Sequence, residues 1–139
     1  MSQSIREVMT RDVLSMPTTA TAAEAARKMR DGDIGNVVVV DGRQVCGIVT
    51  DRDIVIRGIA EGHDPSTTKL ADICSRDLTI VTPDADVSEA INLMRAKSLR
   101  RLPVVEGNQP IGIVSLGDLA VERDPSSVLG EISAAPPNR

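Results

Sequence analysis

The chain has 139 residues, 41% of them hydrophobic and 26% charged, with a net charge of −4. That is enough apolar material for a core at ordinary single-domain size. It contains no Phe, Trp or Tyr, which argues against a stacking platform for single-stranded nucleic acid, and its acidic balance lacks the basic footprint of a duplex binder. Its longest apolar runs are too short to span a bilayer, and the polar, mixed stretch Met1–Arg11 does not read as a secretory signal. A cytoplasmic protein with no nucleic-acid or membrane partner is expected.

The predicted elements open with a short helix, SIREVM, in which Ser4-x-x-Glu7 has capping-box spacing. A short strand follows around Val13–Met16. A longer helix, AAEAARKMR, is introduced by Thr21-x-x-Glu24, and Ala22, Ala25, Ala26 and Met29 share one face at helical spacing. Two strands joined by a tight turn at Gly42 come next (NVVVVD, then QVCGIVT), followed by a closing helix, DRDIVIRGIAEG, with Gly62 as its stop.

Past a connecting HDPSTT the order repeats. TKLADIC after Thr68 is a second opening helix, and a strand falls around Leu78–Val81. Asp86-x-x-Glu89 introduces VSEAINLMRAK, with Val87, Ala90, Ile91 and Met94 on one face. LPVVE and QPIGIVS are paired through Gly107, and GDLAVER closes the copy. The two copies align without a gap at an offset of 65 residues: Arg11-Asp12 on Arg76-Asp77, Met29-Arg30 on Met94-Arg95, Gly47-Ile48-Val49 on Gly112-Ile113-Val114, and Asp53 on Asp118. Such a register signals duplication. The boundaries expected are 4–62 and 69–123 for the two units and 63–68 for the linker. Residues 124–133 should form a short helix resembling the opening ones, and 134–139 a frayed tail.

Two stretches carry the chemistry, GIVTDRD at Gly47–Asp53 and GIVSLGD at Gly112–Asp118. Each places a hydroxyl at a strand end and a carboxylate three residues on. One reading is a helix cap and nothing more. The other is a ligand turn: a helix N-terminus favours an anion, the hydroxyl of Thr50 or Ser115 bonds a phosphate, and Asp53 or Asp118 accepts from ribose hydroxyls. Gly47 and Gly112 allow close backbone approach. The remaining chemistry is sparse. Cys46 and Cys74 match no metal-ligand spacing, and the single histidine, His63, lies in the linker. No P-loop or serine-elbow pattern is present. The expectation is no metal site, no catalytic residues and no structural disulfide.

Each half resembles a CBS domain, the small module named for cystathionine β-synthase. The likeness covers Ser4–Arg123 and is carried by VMTRDVLSM, GIVTDRD, SRRLPVV and GIVSLGD. It implies an α/β (α+β) protein of two β-α-β-β-α units, related by pseudo-twofold symmetry as a disc with two clefts. The ligands it implies are adenosine compounds: AMP, ADP, ATP, NAD or S-adenosylmethionine. By the same likeness Thr50, Asp53, Ser115 and Asp118 contact ribose and phosphate. The base is expected beside Met16, Asn36, Val37 and Val38 in one copy, and beside Val81, Leu102 and Pro103 in the other. Arg101 is a candidate for the phosphate. Copy one departs from the family at Val38, where copy two has the common Pro103. The function expected is a regulatory nucleotide sensor, a homodimer of discs that signals through its oligomer or an effector protein. The alternatives are a stress-associated structural protein without a ligand and, further off, a small enzyme.

Overall fold

The structure, a computed structural model, describes residues 3–11, 13–74 and 78–123; for 121–123 only the backbone is described. The elements run α1 (Ile5–Val8), β1 (Ser15–Pro17), α2 (Ala22–Gly32), β2 (Asn36–Asp41), β3 (Gln44–Thr50) and α3 (Asp51–Asp53), which passes into a π-helix (Ile54–Ile59). They continue through α4 (Leu70–Ile73), α5 (Val87–Lys97), β4 (Arg101–Glu106), β5 (Gln109–Ser115) and α6 (Leu116–Arg123). The helix expected in residues 124–133 and the tail at 134–139 lie outside the described residues.

The chain divides into two compact units, and they are not the two sequence repeats. The first-repeat unit holds described residues 13–74, 78 and 107–110; the second-repeat unit holds 3–11, 79–106 and 111–123. The opening helices are therefore exchanged. The N–H of Ile5 donates to the Ala85 carbonyl (2.9 Å) and that of Arg6 to Pro83 (2.9 Å) in the second-repeat unit. In the first-repeat unit the same two bonds recur at the 65-residue offset, from Leu70 to Ala20 (2.9 Å) and from Ala71 to Thr18 (3.1 Å). Ile5 and Leu70 are each fully buried in the core that receives them, a burial that contributes about 1.5–3 kcal/mol apiece. Arg6 adds an ion pair to Glu106 at 2.8 Å, and that bonded carboxylate holds its guanidinium above the ordinary arginine range.

The exchange explains two caps that differ from expectation. Ser4 makes no side-chain cap bond, because Ala85 and Pro83 already take the first donors of α1. Asp86 likewise does not cap α5: the Val87 N–H goes to the Gln3 carbonyl, and Asp86 Oδ2 accepts from Ser88 Oγ (2.7 Å). Thr21 does cap α2, accepting from the Glu24 N–H at 3.2 Å. The second opening helix starts at Leu70 with Lys69 as its N-cap, and the Thr68 hydroxyl turns back to the Asp64 carbonyl.

In the first-repeat unit β1, β2 and β3 form a three-stranded sheet, with β1 parallel and β3 antiparallel to β2. Met16 faces Val39, and Asn36 faces Thr50. The register slips between Val39 and Val40 because Cys46 is bulged out of the ladder. The first strand begins at Ser15 rather than Val13. Its counterpart in the second repeat shrinks to one parallel bridge, Val81 to Val104. The cause is visible at one position: the Val38 N–H bonds the Leu14 carbonyl at 2.8 Å, whereas its equivalent, Pro103, has no N–H to give. The hairpin glycines are equivalent turns, with φ of +61° at Gly42 and +58° at Gly107.

The cores are aliphatic. Ala22, Ala25 and Met29 of α2 and Val87, Ala90 and Met94 of α5 are buried as predicted, but Ala26 is exposed and Ile91 half-buried. The closing helix of the first repeat is the larger surprise, since only Asp51–Asp53 is α-helical before the π-helix begins. Gly62 does end it, at φ +80°.

Candidate functional site

β3 and β5 end on the two hydroxyl residues, and the chain turns at once into a helix. At the first turn the Asp53 N–H donates to Thr50 Oγ1 (3.1 Å), and the Thr50 N–H donates to Asp53 Oδ2 (2.8 Å). At the second, the Asp118 N–H donates to Ser115 Oγ (3.1 Å), and the Ser115 N–H to Asp118 Oδ2 (2.9 Å). Both are complete capping boxes. Each uses one carboxylate oxygen and leaves Oδ1 of the same aspartate outside the cap.

The strand beside each turn is tied to it by one backbone bond. The Asp51 N–H donates to the Gly35 carbonyl (3.0 Å), and the Leu116 N–H to the Arg100 carbonyl (2.8 Å). A Cβ on Gly35 would stand 3.2 Å from Asp51 Oδ2, so the exposed Asp51 side chain would have to shift by a few tenths of an ångström. Gly112 is needed for a different reason from the ligand approach expected of it. A Cβ on it would lie 2.6 Å from Met9 Sδ and 2.9 Å from the Thr10 carbonyl. The exchanged segment itself makes the close approach, pinned by Thr10 N–H to Ile113 carbonyl (2.8 Å) and Ile113 N–H to Thr10 carbonyl (3.0 Å).

The candidates from sequence divide by polarity. Asn36, Thr50 and Asp53 come together at one end of the first-repeat sheet, each partly exposed. Ser115 and Asp118 are likewise partly exposed, and Arg101 is exposed. The apolar candidates are core residues: Met16, Val37, Val38, Val81, Leu102 and Pro103 are all buried. Beside the buried Met16 and Val81, the exposed side chains are Ser15 and Pro17 in one copy and Ile80 and Thr82 in the other.

Three features were missed from sequence. The Thr10 hydroxyl lies 3.5 Å from Asp118 Oδ2, and its signal was the hydroxyl that opens both Thr10-Arg11-Asp12 and Ser75-Arg76-Asp77. Arg57 Nε lies 3.9 Å from Asp53 Oδ1, a helical i,i+4 pair. Thr79 Oγ1 is buried without a hydrogen-bond partner among the described residues. A separate apolar groove of about 400 Å³ is lined by Ile91, Met94, Arg95, Leu99, Leu116, Leu119 and Ala120. None of the ligand candidates lines it.

Cys46 is half-buried and Cys74 buried, the Cys74 Sγ 3.9 Å from the Ala71 carbonyl. Among the described residues no group of three or more His, Cys, Asp and Glu side chains gathers as a cation site, and no helix is long and apolar enough to cross a membrane.

Two α/β repeats, each turning from a strand into a capped helix through hydroxyl-x-x-Asp, define a duplicated small-module architecture. The family model described as "CBS domain" matches the chain twice, at residues 5–58 and 70–123. The chain belongs to the CBS-domain family, as a tandem pair. It is 42% identical over 120 residues to the uncharacterized protein MK0525 of Methanopyrus kandleri; the match covers 85% of this chain and 61% of that one. Its fold is similar to the crystal structure of Hypoxic Response Protein I with two coordinated zinc ions (TM-score 0.77, 32% identity, 86% of this chain and 98% of that one). It is also similar to a hexameric CBS-CP12 protein from bloom-forming cyanobacteria (TM-score 0.79, 30% identity, 90% and 74%). CBS pairs are in general regulatory, ligand-binding modules.

Proposed function

We propose that this chain is a cytoplasmic, energy-sensing regulatory module that binds an adenosine-containing nucleotide at its hydroxyl-x-x-Asp turns. AMP, ADP, ATP, NAD and S-adenosylmethionine are the candidate ligands. Asp53 and Asp118 accept from ribose hydroxyls, and the hydroxyl of Thr50 or Ser115 bonds the phosphate at a turn that holds one. The observation that carries the reading is the repetition of one hydroxyl–carboxylate geometry in both repeats, each with a carboxylate oxygen outside the cap. The module has no catalytic role in this reading. It acts through an effector protein or through its own homodimer. The dimer is supported by apolar surface on the helices, the α5–α6 groove and exposed Val55, Ile56 and Ile59.

A second reading is favoured by a specific observation: both arms of both capping boxes are made, so the motif has a structural use without any ligand. Calorimetric titration of the five candidates separates the two. With binding, Asp118→Asn keeps the shape and part of the cap while weakening the acceptor. A charged hydrogen bond contributes about 1.5–3 kcal/mol, so affinity at that turn should fall roughly tenfold to a hundredfold. With capping alone, the same variant loses at most about 1 kcal/mol of stability and no ligand is seen. Absence of binding by the wild type at millimolar ligand overturns the proposal. The same sample in light scattering tests the dimer, which a monomer mass of 14.8 kDa at micromolar protein would contradict. With neither Trp nor Tyr in the chain, co-purified nucleotide would be visible as absorbance near 260 nm.

A further inference from the structure

The two capped turns share their hydrogen bonds and differ in charge. At the first, Gly35 and Asn36 form the adjoining strand start, and the helix begins Asp51-Arg52-Asp53. The Asp51 carboxylate lies over Gly35 and accepts from the Arg52 N–H (2.9 Å). At the second turn the same positions are Arg100 and Arg101, then Leu116-Gly117-Asp118. The Leu116 bond to the Arg100 carbonyl fixes that arginine pair beside the start of α6. One helical turn further from the strand ends the signs reverse, Arg57 against Glu122, and there Arg57 is already paired with Asp53.

We infer that the turns are unequal: the Ser115–Asp118 turn takes a phosphorylated adenosine ligand, and the Thr50–Asp53 turn does not hold a phosphate. The inference rests on the adenosine reading of the proposed function. An AMP phosphate carries close to two negative charges at neutral pH. At the second turn the adjoining chain carries two exposed arginines, Arg100 and Arg101, and a guanidinium's planar fork matches phosphate oxygens in pairs. The helix start Leu116-Gly117-Asp118 carries one carboxylate, already engaged through Oδ2. At the first turn the phosphate meets Asp51 as well as Asp53, with Arg52 and the Asp53-paired Arg57 as the cations and no basic residue on the adjoining strand start. Like charge disfavours the ligand there, while uncharged adenosine is unaffected by either sign.

The test is titration of adenosine and AMP into the wild type, Asp53→Asn, Asp118→Asn, and the double variant Arg100→Gly with Arg101→Asn, which installs the first repeat's residues. The wild type should show one AMP site per chain, tenfold to a hundredfold tighter than for adenosine. Asp118→Asn should weaken that site and Asp53→Asn should leave it. The double variant should bring AMP down to the affinity of adenosine, with adenosine binding unchanged and the melting temperature lowered by no more than the roughly 2–4 °C that an added glycine costs. Two equal AMP sites per chain, or an AMP preference that survives the double variant, would overturn the inference. Adenosine bound with no phosphate preference sinks this inference alone. Binding of neither compound sinks the adenosine reading beneath it.

Discussion

The first and second closing turns agree to within 0.1 Å in both cap bonds, yet the helices they start are different. Ser115 and Asp118 launch an α-helix that runs to Arg123, whereas Thr50 and Asp53 launch one α-turn that widens into a π-helix. The cap is a four-residue device, satisfied within its own sequence. The helix beyond it depends on composition and length. Ile54-Val55-Ile56-Arg57-Gly58-Ile59 is rich in β-branched residues and contains a glycine, all poorer helix formers than the Leu-Ala-x-Glu-Arg of α6. The first repeat also has more chain to place: Asp64-Pro65 follows Asp53 by 11 residues, and Asp124-Pro125 follows Asp118 by 6. The wider π-turns are closed by Ala60 N–H to Val55 carbonyl (2.8 Å) and His63 N–H to Gly58 carbonyl (3.1 Å). They present Val55, Ile56 and Ile59 to solvent.

The sharpest way to break the second turn is from behind. In Gly112→Ala the new Cβ meets Met9 Sδ and the Thr10 carbonyl at distances no real contact keeps. Met9 can swing aside, but the Thr10 carbonyl is held by its bond from Ile113. Overpacking against backbone should cost about 3 kcal/mol, roughly 10 °C in melting temperature for a chain of this size. A loss under about 1 kcal/mol would show that the exchanged Met9–Thr10 segment is not fixed over β5. A smaller change sharpens the contrast between first strands. Thr79 stands where the first repeat has Leu14, and its hydroxyl is buried without a partner among the described residues. Thr79→Val keeps the shape and removes the unmet group, so stability should rise by about 1 kcal/mol in denaturant unfolding. A fall of that size would mean the hydroxyl has a partner.

The duplication, the hairpin glycines, the buried faces of α2 and α5 and the two cap motifs were legible because each is a local pattern. Helical spacing, a positive φ or a four-residue box is complete within a few positions. The exchange of α1 and α4 was not legible. Ile5 and Leu70 read as the apolar residues of short helices, and nothing local says which repeat's core receives them. Ser4 and Asp86 misled for the same reason, their cap duty having passed to carbonyls and donors far along the chain. The charge difference between the turns was written in Gly35-Asn36 against Arg100-Arg101. It acquired meaning only when the Asp51–Gly35 and Leu116–Arg100 bonds tied those pairs to the caps.

The smallest effect probes the π-helix. Gly58 is buried, takes no left-handed φ, and a Cβ built on it meets nothing within 4 Å. Alanine therefore fits without strain. It restricts the unfolded chain and favours helical backbone, which should stabilise by about 0.4–1 kcal/mol and raise the melting temperature by roughly 2–4 °C. The π-turns themselves need no glycine by this account; they arise from the β-branched run and the extra residues before Asp64. Gly58→Ala should then keep the π geometry while gaining stability, readable as slower amide exchange at Ala60 and His63, whose N–H groups close the wide turns. Destabilisation would show that the helix depends on the backbone freedom of Gly58. Stabilisation with faster exchange at His63 would show the segment relaxing to an α-helix like its partner in the second repeat, with composition at this one position deciding between the two forms.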